Sequence, residues 1–192
     1  MSNLTGRVAL VTGGGRDVGA EICRVLAAAG AKVAVNYNAS RAEAEAVVAE
    51  IKKTGGTAAA YQADVADLEQ VRRMIGQVKS DFGGLGILVN NAGFVIRKRF
   101  AETQPEEWHK QIDACLYGAI HCCHTAGPLL EASAHGRIIS IIGDSSRVGE
   151  SGLAIVAAAR RNGRIDEIAG AGNGPLRRDL QCARARPDRD RA

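Results

Sequence analysis

Thr12-Gly13-Gly14-Gly15-Arg16-Asp17-Val18-Gly19 follows the apolar run Val8-Ala9-Leu10-Val11 and leads into a helical pattern, and this passage decides the fold. Glycines at such a turn let the backbone bend tightly and bring the amides of a helix N-terminus close to a phosphate. A tight turn without a ligand has the same composition, so the passage alone leaves both readings open. Working outward, short β-branched runs alternate with helical patterns up to about residue 150. Strands are predicted at Arg7 to Thr12, Ala31 to Asn36, Thr57 to Tyr61, Gly86 to Val89 and Arg137 to Ile142.

Between them, Asp17 to Ala29 places Ile22, Val25, Leu26 and Ala29 on one stripe and stops at Gly30. Ser40 and Glu43 have the spacing of a capping box for a helix carrying Ala44, Val47, Val48 and Ile51. Val71, Ile75 and Val78 mark a third helix. Pro105 opens a fourth, running through Trp108, Ile112, Leu116 and Ile120 toward Pro128. Strands separated by helices of this length pair in parallel with right-handed crossovers, giving an α/β, doubly wound parallel sheet. Ligands bind such sheets at the carboxyl ends of the strands, here after Thr12, Tyr61, Val89 and Ile142.

The chain has 192 residues, 46% hydrophobic and 24% charged, the balance of one soluble globular domain rather than of a disordered chain. No apolar run approaches the roughly 18 residues of a membrane span, and Met1 to Gly15 lacks a secretory pattern, so no membrane partner is expected and the expected address is cytoplasmic. Cys23, Cys115, Cys122, Cys123 and Cys182 are an odd set without C-x-x-C spacing, which implies neither a disulfide framework nor a zinc site. The net charge of +4 is uneven: residues 1–160 hold 17 basic and 16 acidic side chains, whereas residues 161–192 hold 8 and 5. All the cations of that tail are Arg, and it has no aromatic residue, which gives it no means of building a core or of stacking on nucleic-acid bases. No nucleic-acid partner is expected.

Three motifs stand at the strand ends: the Thr12 to Gly19 turn, Asp64-Val65 after strand three, and Asn90-Asn91-Ala92-Gly93 after strand four. Together they resemble the short-chain dehydrogenase/reductase family, over residues 5 to about 160. The resemblance implies a Rossmann-type sheet, truncated here after strand five, as an NAD(P)-binding domain over residues 1–160 with an atypical tail over residues 161–192. It also implies that Thr12, Gly13, Gly15, Arg16, Asp17, Val18 and Gly19 wrap a dinucleotide pyrophosphate. Asp64 and Val65 would meet the adenine, and Asn90, Asn91, Ala92 and Gly93 would line its ribose. Arg147 to Gly152 resembles the branch with 2-hydroxycyclohexanecarboxyl-CoA dehydrogenase, and Val35 to Asn38 resembles 3-oxoacyl carrier-protein reductases. The implied partner is a small carbonyl or alcohol substrate, an acyl thioester included. Relatives are homo-oligomers through a helix such as the one around residue 120, an assembly that loss of the later strands would oppose.

Where NAD-preferring relatives carry an acidic residue at the end of strand two, this chain has Tyr37, so repulsion of a 2′-phosphate is missing. Arg16 and Arg41 could pair with that phosphate, which favours NADP over NAD; two solvated surface arginines is the other open reading. Asp17 replaces the family's second glycine. It would serve as a helix N-cap, yet it opposes another anion by about 1 kcal/mol at 4 Å in water, and by roughly 4 at an effective dielectric of 20.

The resemblance also places catalysis. The family's proton-donating Tyr falls at Val156, its Lys at Arg160, its Ser at Gly143 and its Asn at Cys115. None of these four keeps the family's residue, and loss of the general acid alone costs about 10² to 10⁴ in rate. Asp144, Ser145, Ser146 and Tyr117 are the nearby substitutes to consider. Arg160 keeps a cation but cannot release its proton. His121-Cys122-Cys123-His124 has ligand chemistry, but on a helix positions 121 and 124 share a face while 122 and 123 point elsewhere, so four convergent ligands are lacking and no metal is expected.

Relatives continue beyond the Lys with another helix, a sixth strand and a nicotinamide-gripping loop. Back-translating Asp166 to Gly174 with chosen codons and reading from the second base gives M-K-S-L-A-R-E-M, a string like the family's next helix. The same frame over Gln181 to Ala192 gives N-A-L-A-L-G-L-I-E-T-A, close to the family's sixth strand. A single-base frame change between about Arg160 and Asn162 accounts for both; an evolved Arg-rich tail is the alternative. Three readings of function stand: an NAD(P)-dependent oxidoreductase by descent without its usual proton donors, a non-catalytic dinucleotide or acyl-CoA binding pseudoenzyme, and a truncated product without function.

Overall fold

The apolar runs become short strands because their β-branched residues are buried on both faces of a sheet, the pattern of parallel strands covered by helices. The computed structural model describes residues 3–143, 148–161 and 184–185. Strands β1 (Val8–Val11), β2 (Lys32–Tyr37), β3 (Thr57–Gln62), β4 (Ile87–Asn90) and β5 (Arg137–Ser140) form one parallel sheet in the order β3-β2-β1-β4-β5. Helices α1 (Asp17–Ala28), α2 (Arg41–Lys53) and α3 (Leu68–Phe82) are the first three crossovers. The fourth is α4 (Pro105–Ile112), a π-helical turn (Asp113–Tyr117) and α5 (Gly118–Ala132).

Strand periodicity divides the core. Val8 and Leu10 face a cluster with Val71, Met74, Val78 and Leu130, whereas Ala9 and Val11 face Cys23, Val35, Val47 and Ile51 on the opposite side. The order reverses between β1 and β4, and that switch point is where the sheet opens a cleft. β5 is the sheet's edge, as expected for a sheet that stops at strand five, and its side chains are only half-buried. Ile142–Gly143 (β6) leaves the sheet and pairs in parallel with Arg184–Ala185 (β7), and α6 (Ala154–Arg161) packs against α4 and the π turn.

Several local expectations are corrected. Strand five ends at Ser140, two residues early: Ile141 makes the last rung to the Asn90 carbonyl, and Ile142 and Gly143 pair instead with Arg184 and Ala185. Ser40 is the N-cap of α2 but its side chain makes no capping bond; α3 is capped instead by Asp67, which accepts from the Glu69 and Gln70 amides. Asp17 is not an N-cap either: Arg16 holds that position and Asp17 is the first helical residue. Pro128 stands inside α5 rather than ending it, because Leu130 beyond it is buried in the core.

Candidate functional site

The switch point holds a cleft of about 570 Å³, within the range of small-molecule sites. Its floor is made by the loop after β1. Gly13 has φ +61, and a Cβ there would approach Ala92 Cα to 3.1 Å. Gly19 lies so close to the turn that a Cβ would sit 2.2 Å from the Gly13 carbonyl oxygen. Helix α1 therefore packs directly on the turn, and its first residues Asp17, Val18 and Gly19, whose amides precede the helical hydrogen-bond ladder, line the cleft.

Two buried side chains hold this backbone. Thr12 Oγ1 donates to the Val89 carbonyl at 3.2 Å and accepts the Asn91 and Ala92 amides at 3.0 Å each, tying β1 to the loop after β4. Asn36, 1% exposed, accepts the Gly13 amide at 3.1 Å and donates to the Ala63 carbonyl at 3.0 Å and the Tyr37 and Tyr61 carbonyls at 3.3 Å. Sequence reasoning missed Asn36; a single amide within the apolar run Lys32-Val33-Ala34-Val35-Asn36-Tyr37 was the available signal.

The structure brings most of the predicted nucleotide residues to this one cleft: Gly13, Gly15, Arg16, Asp17, Val18, Gly19, Tyr37, Asp64, Val65, Asn91, Ala92 and Gly93 all line it. Thr12 and Asn90 sit beneath, lining a second space of about 30 Å³ beside Cys115 and Ser140. Asn90 donates to Cys123 Sγ at 3.2 Å, and its buried Oδ1 has no partner among the described residues. Arg41 is not among the residues lining the cleft, and its Nε lies 2.7 Å from the Glu45 carboxylate. Arg16 reaches Asp17 at 3.9 Å, with both side chains open to water.

Among the described residues, the far end of the cleft is lined by Gly93, Phe94, Val95, Ala114, Ile141, Ile142 and Gly143, a set without a hydroxyl or ionisable side chain. Behind it Cys115 and Val156, 9% and 4% exposed, share one apolar cluster with Ala159, Ile112, Leu116 and Leu153. The Cys115 thiol is bracketed by the Phe94 amide and carbonyl at 3.5 Å each. The π turn carries Ala114 and Cys115; its extra residue per turn re-aims them relative to α4. Tyr117, which follows them, is half-exposed, and its ring lies 6.1 Å from that of His121 at a tilt of 33°; it is not among the residues lining the cleft. Asp144, Ser145, Ser146 and Arg147 lie outside the described residues, as do the Arg160 side chain and the tail apart from its stated elements.

Cys122 and Cys123 are buried in the core between α5 and α3, whereas His124 is exposed and His121 Nδ1 lies 3.0 Å from the Val65 carbonyl.

A family model described as short chain dehydrogenase matches residues 7–162. The chain belongs to the short chain dehydrogenase family. It is 41% identical over 152 residues to a 3-oxoacyl-[acyl-carrier-protein] reductase of Staphylococcus aureus strain Mu50, covering 79% of this chain and 62% of that protein. A reductase of the same name from Synechocystis is 39% identical over 160 residues, covering 83% and 65%. The chain thus spans less than two thirds of the length of these family members. Among solved structures, a short chain dehydrogenase from Burkholderia cenocepacia J2315 in complex with NADP superposes with TM-score 0.79 at 38% identity, covering 83% of this chain and 65% of that one. A dehydrogenase/reductase from Sinorhizobium meliloti 1021 gives 0.79 at 34% identity, covering 83% and 63%. Family membership explains why the three motifs meet at one sheet edge. Among the described residues, no helix is long and apolar enough to cross a membrane.

Proposed function

We propose that the switch-point cleft binds an adenine dinucleotide, NADP ahead of NAD, and that the chain is by descent an NAD(P)-dependent oxidoreductase acting on a small carbonyl or alcohol. The observation that carries the reading is the convergence of the glycine turn, Asp64-Val65 and Asn91 to Gly93 on one cleft of small-molecule size. The free first amides of α1 suit a pyrophosphate. Asp64 and Val65 offer walls to an adenine. Where β2 meets α2, the cleft is lined by Tyr37, Asn38, Ala39 and Ser40, so no carboxylate of that corner repels a 2′-phosphate. With Arg41 held by Glu45, Arg16 is the better placed cation. The Burkholderia homologue's complex with NADP agrees with this preference, and the reductases named for 3-oxoacyl-carrier-protein favour an acyl thioester as substrate.

A bound nicotinamide would supply or accept the hydride. The protein's own part is to orient that ring and manage the proton, and the described residues offer little for the second task. Gly143 adds no hydroxyl to the cleft, and Cys115 and Val156 fill the place of a proton donor and its relay with a buried apolar cluster. That cluster supports the second reading, a dinucleotide or acyl-CoA binding protein without turnover.

Calorimetric titration with NADPH and NADH, followed by hydride transfer to a panel of ketones and 3-oxoacyl thioesters, separates the readings. Saturable binding with turnover supports the oxidoreductase. Binding without turnover supports the non-catalytic protein, and absence of binding by a folded chain refutes both.

A further inference from the structure

We propose that Asp17 sets the ligand preference of the cleft: its carboxylate opposes a 5′-pyrophosphate, so adenosine-type ligands lacking that group are held with little loss while dinucleotides are held weakly. The inference rests on the nucleotide reading above and concerns the same site.

Three observations place the charge. Asp17 is the first residue of the 12-residue helix α1 and lines the cleft together with Gly13 and Gly15, where the free amides of the helix start would receive a phosphate. Its side chain is 87% exposed and, among the described residues, makes no hydrogen bond that would turn it away. Its backbone has φ +50, and among the described residues it is the one non-glycine residue in left-handed conformation. The turn thus sets the Cα–Cβ direction of Asp17 through a conformation that glycine adopts freely and other residues resist.

Arg16 does not cancel this charge. Its Nε stands 3.9 Å from the carboxylate and its side chain is 70% exposed, which makes a loose, water-screened pair. The groups proposed for the adenosine come from other elements: Tyr37 from the end of β2, Asp64 and Val65 from the loop after β3. Removing the Asp17 charge therefore acts on the pyrophosphate and leaves adenosine contacts in place.

The test titrates the full chain and its Asp17→Asn and Asp17→Gly variants with NADPH and with adenosine, which lacks both the pyrophosphate and the 2′-phosphate that Arg16 would meet. Asp17→Asn is expected to tighten NADPH about tenfold or more at low salt and to change adenosine by less than about twofold. The difference between wild type and Asp17→Asn for NADPH should shrink as ionic strength rises, because a like-charge repulsion is screened. Equal NADPH affinity in wild type and Asp17→Asn, with binding intact, overturns the role of Asp17 and leaves the nucleotide reading standing. A gain in Asp17→Gly without one in Asp17→Asn assigns the effect to backbone strain and also overturns it. If no form binds either ligand, the nucleotide reading falls with the proposal.

Discussion

The Asn91 side-chain amide donates to the Gly13 carbonyl at 3.1 Å and to the Thr12 carbonyl at 2.9 Å, so the loop after β4 holds the glycine turn after β1 from across the sheet's switch point. These bonds fix the cleft floor before any ligand arrives. Asn91→Ala would leave both carbonyls without this donor and is expected to cost about 1–3 kcal/mol of stability. The urea midpoint would fall, and NADPH affinity with it. An unchanged midpoint would mean that the turn holds itself.

Val156 and Cys115 lie in one buried apolar cluster, so Val156→Tyr has to place a larger, polar ring among packed side chains. The variant is expected to lose about 1–3 kcal/mol of stability through overpacking. It should show no gain in NADPH oxidation with added carbonyls, because Gly143 and Cys115 still supply neither hydroxyl nor amide. Turnover appearing in this single variant at unchanged stability would refute the view that the proton-handling side of the site is filled.

Burial pushes the Cys23 and Cys122 thiols up to about 12. In the unfolded chain a thiol titrates near about 8.5. Between those limits the unfolded state releases protons that the folded state retains, so these thiols favour the fold fully below about pH 8.5 and lose that contribution as pH rises. The melting temperature should fall above about pH 9, and the Cys23→Ala/Cys122→Ala double variant should show a shallower alkaline decline relative to its neutral value. An identical decline would remove the thiols from the account.

The parallel sheet and the place of the cleft were legible because the chemistry is local. A phosphate turn has to be written in glycines, and buried parallel strands have to be written in runs such as Val8-Ala9-Leu10-Val11. What escaped reading depends on contacts between distant segments. Asn36 looks like a polar interruption in β2 until the fold brings the Gly13 amide and the Tyr61 and Ala63 carbonyls to it. The π turn at Asp113–Tyr117 keeps the helical apolar pattern and leaves no mark in it. Ser40 has capping-box spacing but lines the cleft without making the cap. Asp17 reads as an N-cap by residue type, and only its φ of +50 reveals that it fills a place made for glycine.

The family match ends at residue 162, where the Arg-rich tail begins. A single-base frame change between about Arg160 and Asn162 remains our proposal for that boundary. Sequencing the coding DNA across codons 155 to 165 from independent clones is expected to reveal one inserted or deleted base relative to a frame that continues the family pattern. A single uninterrupted frame whose codons give no such continuation would refute it.

The claim on which the rest depends is that an adenine dinucleotide lies across the β1–β4 switch point. A crystal structure of the chain grown with NADP answers it directly. The account predicts adenine density against Asp64 and Val65 and diphosphate density above Gly13 to Gly19, with occupancy lost in a Gly19→Val variant that stays folded. Clear density for the protein with that cleft empty at saturating NADP, or the dinucleotide bound elsewhere, would contradict it.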